Sequence, residues 1–380
     1  MPRLDIVCCG DLVLDEPDPD HWLAGIAPAL RSASLAIGHL EVPHTRRGKE
    51  LSADVPAPGA PPEHLAALSH AGLDAVTLGG NHIADCGAEG IQDTLTALDQ
   101  NGIAHTGAAM NVALARAPAW LESGGVRVAL LSYNCVGPEE SWATPAGAGC
   151  AYIRVAPEGG GAIAPAADLR YPDPDSVGLM AQDVRDARNA GAEVCIVALH
   201  KGIVHVPARL APYERPLAWA AVDAGADLVI GHHAHILRGF EFYRGRPIFH
   251  GLGNGCVVTR ALSPDQSHPS RAAWAWRRRE MFGFEPDPAY TLAPFHPEAV
   301  HGLLARVVFD GATLVATGFL PLHFEPPGRP VLATGPAAEA VCNYLVRICQ
   351  DAGLPRPCLT VTDEMVQIET FKTSCPPLPK

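Results

Sequence analysis

The chain has 380 residues, 48% of them apolar and 18% charged. That balance supports a large buried core and excludes an intrinsically disordered chain. Lys and Arg number 28 against 41 Asp and Glu, a net charge of −13, which argues against nucleic-acid binding through a general basic surface. No run approaches about 18 uninterrupted apolar residues, so no membrane partner is expected. Asp5 breaks the N-terminal apolar run and no small-residue cleavage site follows, so no secretory leader is expected and the chain reads as cytoplasmic. The 11 cysteines are odd in number and without repeating spacing, which fits buried thiols better than a disulfide frame or a zinc cluster.

In chain order, LDIVCC (4–9) is a strand ending at Gly10-Asp11, and 20–33 has helical spacing. SLAIGHLE (34–41) is the next strand. A Pro-initiated helix at 61–72 stops at Gly72. LDAVTLGG (73–80) is a strand running into Asn81-His82, followed by a helix at 88–102 and a strand at 127–133. Past an irregular stretch come a helix before Gly191, the strand 193–200, a helix from Tyr213, and the strand 227–233. FEFYRGRPIFHGLGN (240–254) reads as a hairpin turning at Arg244-Gly245. Residues 260–300 are polar and proline-punctuated, 303–320 resume strand alternation, and the segment 331–353 ends in a helix. Strands alternating with helices predict an α/β layered fold with a C-terminal elaboration: a core over 1–258, and 259–380 packing on it.

Chemistry-bearing residues collect where strands stop: Asp11, Glu41, Asn81-His82, His200 and His233-Ala-His235. In layered α/β folds the loops beyond the carboxyl ends of strands converge on one crevice. Five strands each delivering a carboxylate, amide or imidazole to that edge predict a single site.

This order resembles the CapA-like branch of the metallo-dependent phosphatase (calcineurin-like) superfamily. The matching pieces are Gly10-Asp11, Leu40 to Pro43, G-N-H-I-A-D at Gly80 to Asp85, His200 to Gly202, G-H-H-A-H at Gly231 to His235, and Leu252 to Asn254. The resemblance covers roughly residues 5–258 and implies a two-sheet sandwich flanked by helices. It also implies Asp11, Glu41, Asn81, His200, His233 and His235 as candidate ligands of divalent metal (Mn, Zn or Fe), and His82 as an acid. Two such ions activate water for an in-line displacement.

The chain departs from that pattern in three places. Leu-Val follows Asp11. His39 stands where the branch carries Asn. Lys201 and Val204 replace its Trp and Glu. With the acidic Ala/Pro/Arg-rich composition, these features look like the peptide epimerase subgroup of lasso-peptide biosynthesis. That subgroup inverts the Cα of a precursor peptide's C-terminal tryptophan, and in this reading no metal is required.

Inversion needs opposing proton-transfer groups. Asp11 and His296 are the candidates, with His82 and Asp85 as a supporting pair. Lys201 and the tract within 271–284 carrying Arg271, Trp274, Trp276 and Arg277 are candidates for binding a peptide that ends in an aromatic residue and a free carboxylate. The partner in this reading is the precursor peptide. The alternatives are a metal-dependent phosphoesterase or capsule/poly-γ-glutamate synthesis-type hydrolase or ligase, and a catalytically inert peptide-binding subunit. The oligomeric state stays open.

Overall fold

The strand Arg3–Leu14 organises the larger of the two main sheets. The structure is a computed structural model that describes residues 3–48, 59–261, 267–284, 287–292 and 296–369. Along the first half of that strand, Arg3 to Cys8, His301–Asp310 pairs antiparallel. Along the second half, Asp11 to Leu14, Asn254–Val258 pairs parallel. Leu35–Leu40 runs parallel on the other side. The strand is apolar and buried over nearly its whole length, as expected for a strand covered on both faces.

The second sheet has six strands, with Leu228–His232, Val194–His200 and Val126–Asn134 parallel at its centre. Leu4, Ile6, Cys8, Leu35 and Ile37 of the larger sheet pack on Val128, Leu130, Ile196 and Ile230 of the smaller. Helices cover the outer faces, through Leu23, Leu30, Leu68 and Leu98 on one side. On the other side Met180, Val184, Leu217 and Ala221 do the same. The expected α/β two-sheet sandwich flanked by helices is what forms. The hairpin turns at Arg244 and Gly245, both with positive φ (49° and 76°), the type of turn whose twist suits two-residue β-hairpins.

Two expectations need correction. The helix expected over 20–33 is two short helices, Pro19–Leu23 and Ala27–Ser32. Pro28 starts the second, where it lacks an amide to donate and would clash inside a continuous helix. Residues 301–325 are not an elaboration laid on the core. His301–Asp310 and Thr313–Glu325 are strands of its larger sheet, and the first borders Arg3–Leu14 directly. Among the described residues no helix is long and apolar enough to cross a membrane.

Candidate functional site

The site forms at the open end of the core between the sheets, and strand periodicity puts it there. Successive side chains of a strand alternate between faces. Ile37 faces the inter-sheet core, so His39 and Glu41 continue the same row. Ala75 leads to Thr77, Ala198 to His200, and Ile230 to His232. In the first strand the inward row is Leu4, Ile6 and Cys8, and strict alternation would turn Asp11 away. A bulge reverses this: Cys8 pairs with Ile37 but Asp11 pairs with His39, three residues on one strand against two on the other. Bulges re-aim side chains near functional sites. Gly10 makes this one possible, since a Cβ there would lie 2.0 Å from the Gly253 carbonyl oxygen.

Asp11 is fully buried. Its Oδ1 lies 3.1 Å from His232 Nδ1, and its Oδ2 accepts the His233 amide at 3.2 Å. His235 Nδ1 stands 3.6 Å from the same Oδ2, and its Nε2 is 3.1 Å from Glu41 Oε1. Asn254 Oδ1 holds His235 Nδ1 at 2.9 Å. His200 Nε2 is 2.6 Å from Asn81 Oδ1 and 3.1 Å from His233 Nδ1. His39 rests on Thr77 Oγ1 at 2.9 Å and stacks on His232 with ring centres 4.6 Å apart. His82 Nδ1 meets Asp85 Oδ2 at 2.7 Å. That pairing fixes the tautomer and leaves Nε2 as the acceptor.

Burial, then the negative charge of Glu41, pushes the Asp11 carboxyl up to about 7. Burial pushes His39, His232 and His233 down to about 3. Burial would lower His235 too, but Glu41 and then Asp11 overcome it and raise it to about 9. The pocket therefore holds one imidazolium among neutral imidazoles, beside a carboxyl that titrates near neutrality.

A divalent cation fits the donor set. Atoms of Asp11, His39 and His200 lie within 4.8 Å of one another, as do atoms of Asp11, Glu41 and His235. His39 Nε2, His200 Nδ1, His232 Nε2 and His233 Nε2 are buried without a hydrogen-bond partner, and neither Glu41 oxygen makes an aligned hydrogen bond despite the nearby His235. Buried lone pairs of imidazole and carboxylate suit Zn, Mn or Fe.

The structure gathers Asp11, Glu41, Asn81, His200, His233 and His235 into one cluster, with the His82–Asp85 pair near Glu41 and His233. His296 sits farther out. Its Nδ1 accepts the Glu298 amide at 3.1 Å, and its ring meets Phe284, whose ring meets His205, whose ring lies 6.0 Å from His235. The Pro294-Phe295 step before it lies outside the described residues.

Lys201 is not a substrate-binding residue. It is fully buried, donating to Glu214 Oε2 at 2.8 Å and to the His250 carbonyl at 3.1 Å. Arg238 holds the other Glu214 oxygen at 3.1 Å. Removing one member of a buried ion network strands the others and costs about 3–5 kcal/mol. Lys201→Ala is expected to lower unfolding stability by about that much and leave KM unchanged, read by urea denaturation beside steady-state kinetics.

The tract expected to bind a peptide is split. In the helix Pro269–Phe282, Trp274 is buried while Trp276 is 67% exposed, because positions two apart on a helix face different ways. Arg277 is exposed, and Arg271 faces Asp15. The side chains of Arg278 and Arg279 lie outside the described residues.

Sequence reasoning missed His39, His232 and His205. The first two were legible: each continues an inward row of its strand. His205 follows from no periodicity, since it lies in the loop after His200.

Residues 5–257 match the family described as bacterial capsule synthesis protein PGA_cap. The capsule biosynthesis protein CapA of Bacillus anthracis is 29% identical over 238 residues, covering 62% of this chain and 53% of that protein. A probable polyglutamine synthesis accessory protein of Mycobacterium tuberculosis is 32% identical over 198 residues, covering 51% of this chain and 47% of that protein. The chain thus spans about half the length of these relatives. Among solved structures, a hypothetical protein from Thermus thermophilus aligns with TM-score 0.47 and 17% identity, over 85% of this chain and 100% of the other. The calcineurin-like phosphoesterase YfkN of Bacillus subtilis aligns with TM-score 0.40 and 11% identity, over 92% and 97%. With two thirds of its length matched to one family, the chain belongs to the bacterial capsule synthesis protein family PGA_cap.

Proposed function

We propose that this member of the family is a peptide epimerase. It would invert the Cα of the C-terminal tryptophan of a ribosomal precursor peptide in lasso-peptide biosynthesis. The substrate class comes from the sequence resemblance to that subgroup. The observation that carries the chemistry is Asp11, a dry carboxyl raised to about 7 by burial and by Glu41, with His232 and the His233 amide hydrogen-bonded to it. A carboxylate of that basicity takes protons more readily than an ordinary one and still returns them at neutral pH.

The Cα proton beside an ionised carboxylate is a very weak acid, because its removal builds a second negative charge. The imidazolium of His235, next to Asp11, is the local cation for that charge. In the forward step Asp11 takes the Cα proton and the C–H electron pair moves into an enediolate. A proton then returns to the opposite face from the imidazolium form of His296, which ends as the neutral ring whose Nδ1 accepts the Glu298 amide. The His82–Asp85 pair supports the charge balance nearby. Asp11 then loses its proton to solvent and His296 regains one from solvent, which resets both groups for the next turnover.

A second reading is favoured by the partnerless buried lone pairs of His39, His200, His232 and His233. Asp11, His39, His200, Glu41 and His235 would then hold divalent metal, which when bound supplies an activated water for ester hydrolysis. One experiment separates the two. A linear peptide ending in L-tryptophan is incubated with the protein, and the terminal residue is analysed on a chiral column. In parallel, p-nitrophenyl phosphate is incubated with the protein and manganese. D-tryptophan without phosphate release supports the epimerase, and phosphate release without D-tryptophan replaces it with the hydrolase.

A further inference from the structure

We infer that His205, Phe284 and His296 form the seat for the aromatic side chain of the substrate's terminal residue. The inference rests on the epimerase reading and moves the side-chain subsite away from the Trp274–Arg277 tract. It begins with the backbone. Five described non-glycine residues have positive φ: Asp18, His205, His233, His235 and Arg244. Asp18 caps the helix Pro19–Leu23, and Arg244 makes the hairpin turn. The other three are histidines around the one pocket, with φ of 56° at His205, 87° at His233 and 52° at His235. Left-handed backbone at a non-glycine residue is strained and persists where surrounding structure over-determines it, often at functional sites.

At His205 the over-determination is visible. Its amide donates to the Ala234 carbonyl at 2.9 Å, tying its loop to the turn that carries His233 and His235. The start of the loop is held by the Gly202 amide on Tyr213 Oη at 2.8 Å and by Arg238 on the Ile203 carbonyl at 3.0 Å. This places the His205 ring 6.0 Å from that of His235 and 5.2 Å from that of Phe284. Phe284 in turn meets His296 edge to face at 4.8 Å. The three rings run as a row from the His235 edge of the pocket outward to His296. Phe284 and His296 are half-buried, so the outer part of the row is open to solvent. Aromatic rings set edge to face accept another planar ring in the same manner. A terminal aromatic side chain lying on this row would bring its Cα beside His235, next to Asp11.

The test uses the full chain and a peptide ending in L-tryptophan, with wild type, His205→Gly and His205→Asn. Glycine relieves the positive φ and removes the ring. His205→Gly is therefore expected to keep or raise the unfolding temperature, raise KM about tenfold and leave kcat within about twofold. An unchanged KM overturns the assignment, as does a fall in kcat with KM unchanged. If His205→Gly unfolds at lower temperature, His205→Asn decides, since asparagine tolerates this backbone. Restored stability with raised KM supports the seat, and restoration of both overturns it. A wild type that inverts no tryptophan removes the epimerase reading and this assignment with it, whereas an active wild type with an unaffected His205→Gly removes the seat alone.

Discussion

Metal-free protein is expected to lose most of its stability between about pH 6.5 and pH 5. Burial holds His39, His232 and His233 down to about 3, His44 and His250 down to about 4, and His200 well below its usual range. A group lowered in the folded state contributes stability that is fully present above its unfolded value, here 6.5, and is lost as pH falls toward the folded value. Each such histidine costs about 1.4 kcal/mol per pH unit in that window, or about 8 kcal/mol per pH unit for the group. Asp11 works the other way. Raised from 3.8 to about 7, it contributes stability that is present below 3.8 and lost as pH rises through 7. It therefore offsets about one proton's worth on the acid side.

Domains are typically stable by only about 5–15 kcal/mol, so one to two pH units suffice to unfold this one. On the alkaline side, His235 contributes stability present below 6.5 and lost as pH rises through about 9. Urea midpoints measured with a chelator at pH 7.0, 6.0 and 5.5 should fall steeply. A flat midpoint across that range would mean that the imidazoles are not buried together.

The second large effect is on turnover. Asp11→Asn should reduce inversion by about 10²–10⁴, the usual contribution of a positioned acid–base group. Its stability at pH 8 should be equal or higher, because the substitution removes a buried charge that burial and Glu41 both disfavour. His296→Asn should also lose about 10² or more in turnover. The fold should be kept, since asparagine can take over the cap that His296 provides to the turn Pro297–Val300. Loss of activity with retained or increased stability is the signature of a group placed for chemistry at a cost to folding. If either variant turned over at the wild-type rate, it would leave the assignment of that residue without support.

Much of this site could be read in the sequence, and the limits are physical. Asn81, His200, His233 and His235 were readable because each closes or follows a short apolar strand, and Asp11 because it follows the apolar run 4–9, although the strand continues through it to Leu14; parallel strands in a layered fold end on the same side. His39 and His232 were readable in principle from the two-residue period that continues Ile37 and Ile230. The bulge at Cys9–Gly10 was not. Its register depends on pairing with Leu35–Leu40, a tertiary relation that leaves only a glycine behind. Lys201 misled because a lysine beside a site histidine suggests a cation for substrate. Its partner Glu214 and the arginine that shares it, Arg238, are 13 and 24 residues from Lys201 and Glu214. The Arg/Trp tract misled because composition does not say which side of a helix faces inward. The role of 301–325 in the main sheet was hidden for the same reason as the bulge: strand alternation shows a strand but not its neighbour.

The most direct measurement of the central claim is isotopic. The protein is incubated in heavy water with a peptide ending in L-tryptophan, and the terminal residue is analysed by mass spectrometry after chiral separation. Proton transfer through Asp11 and His296 predicts one deuteron at the terminal Cα of every D-product molecule, at a rate that collapses in Asp11→Asn. Inverted product carrying no solvent deuterium, or exchange that proceeds unchanged in Asp11→Asn, would contradict it.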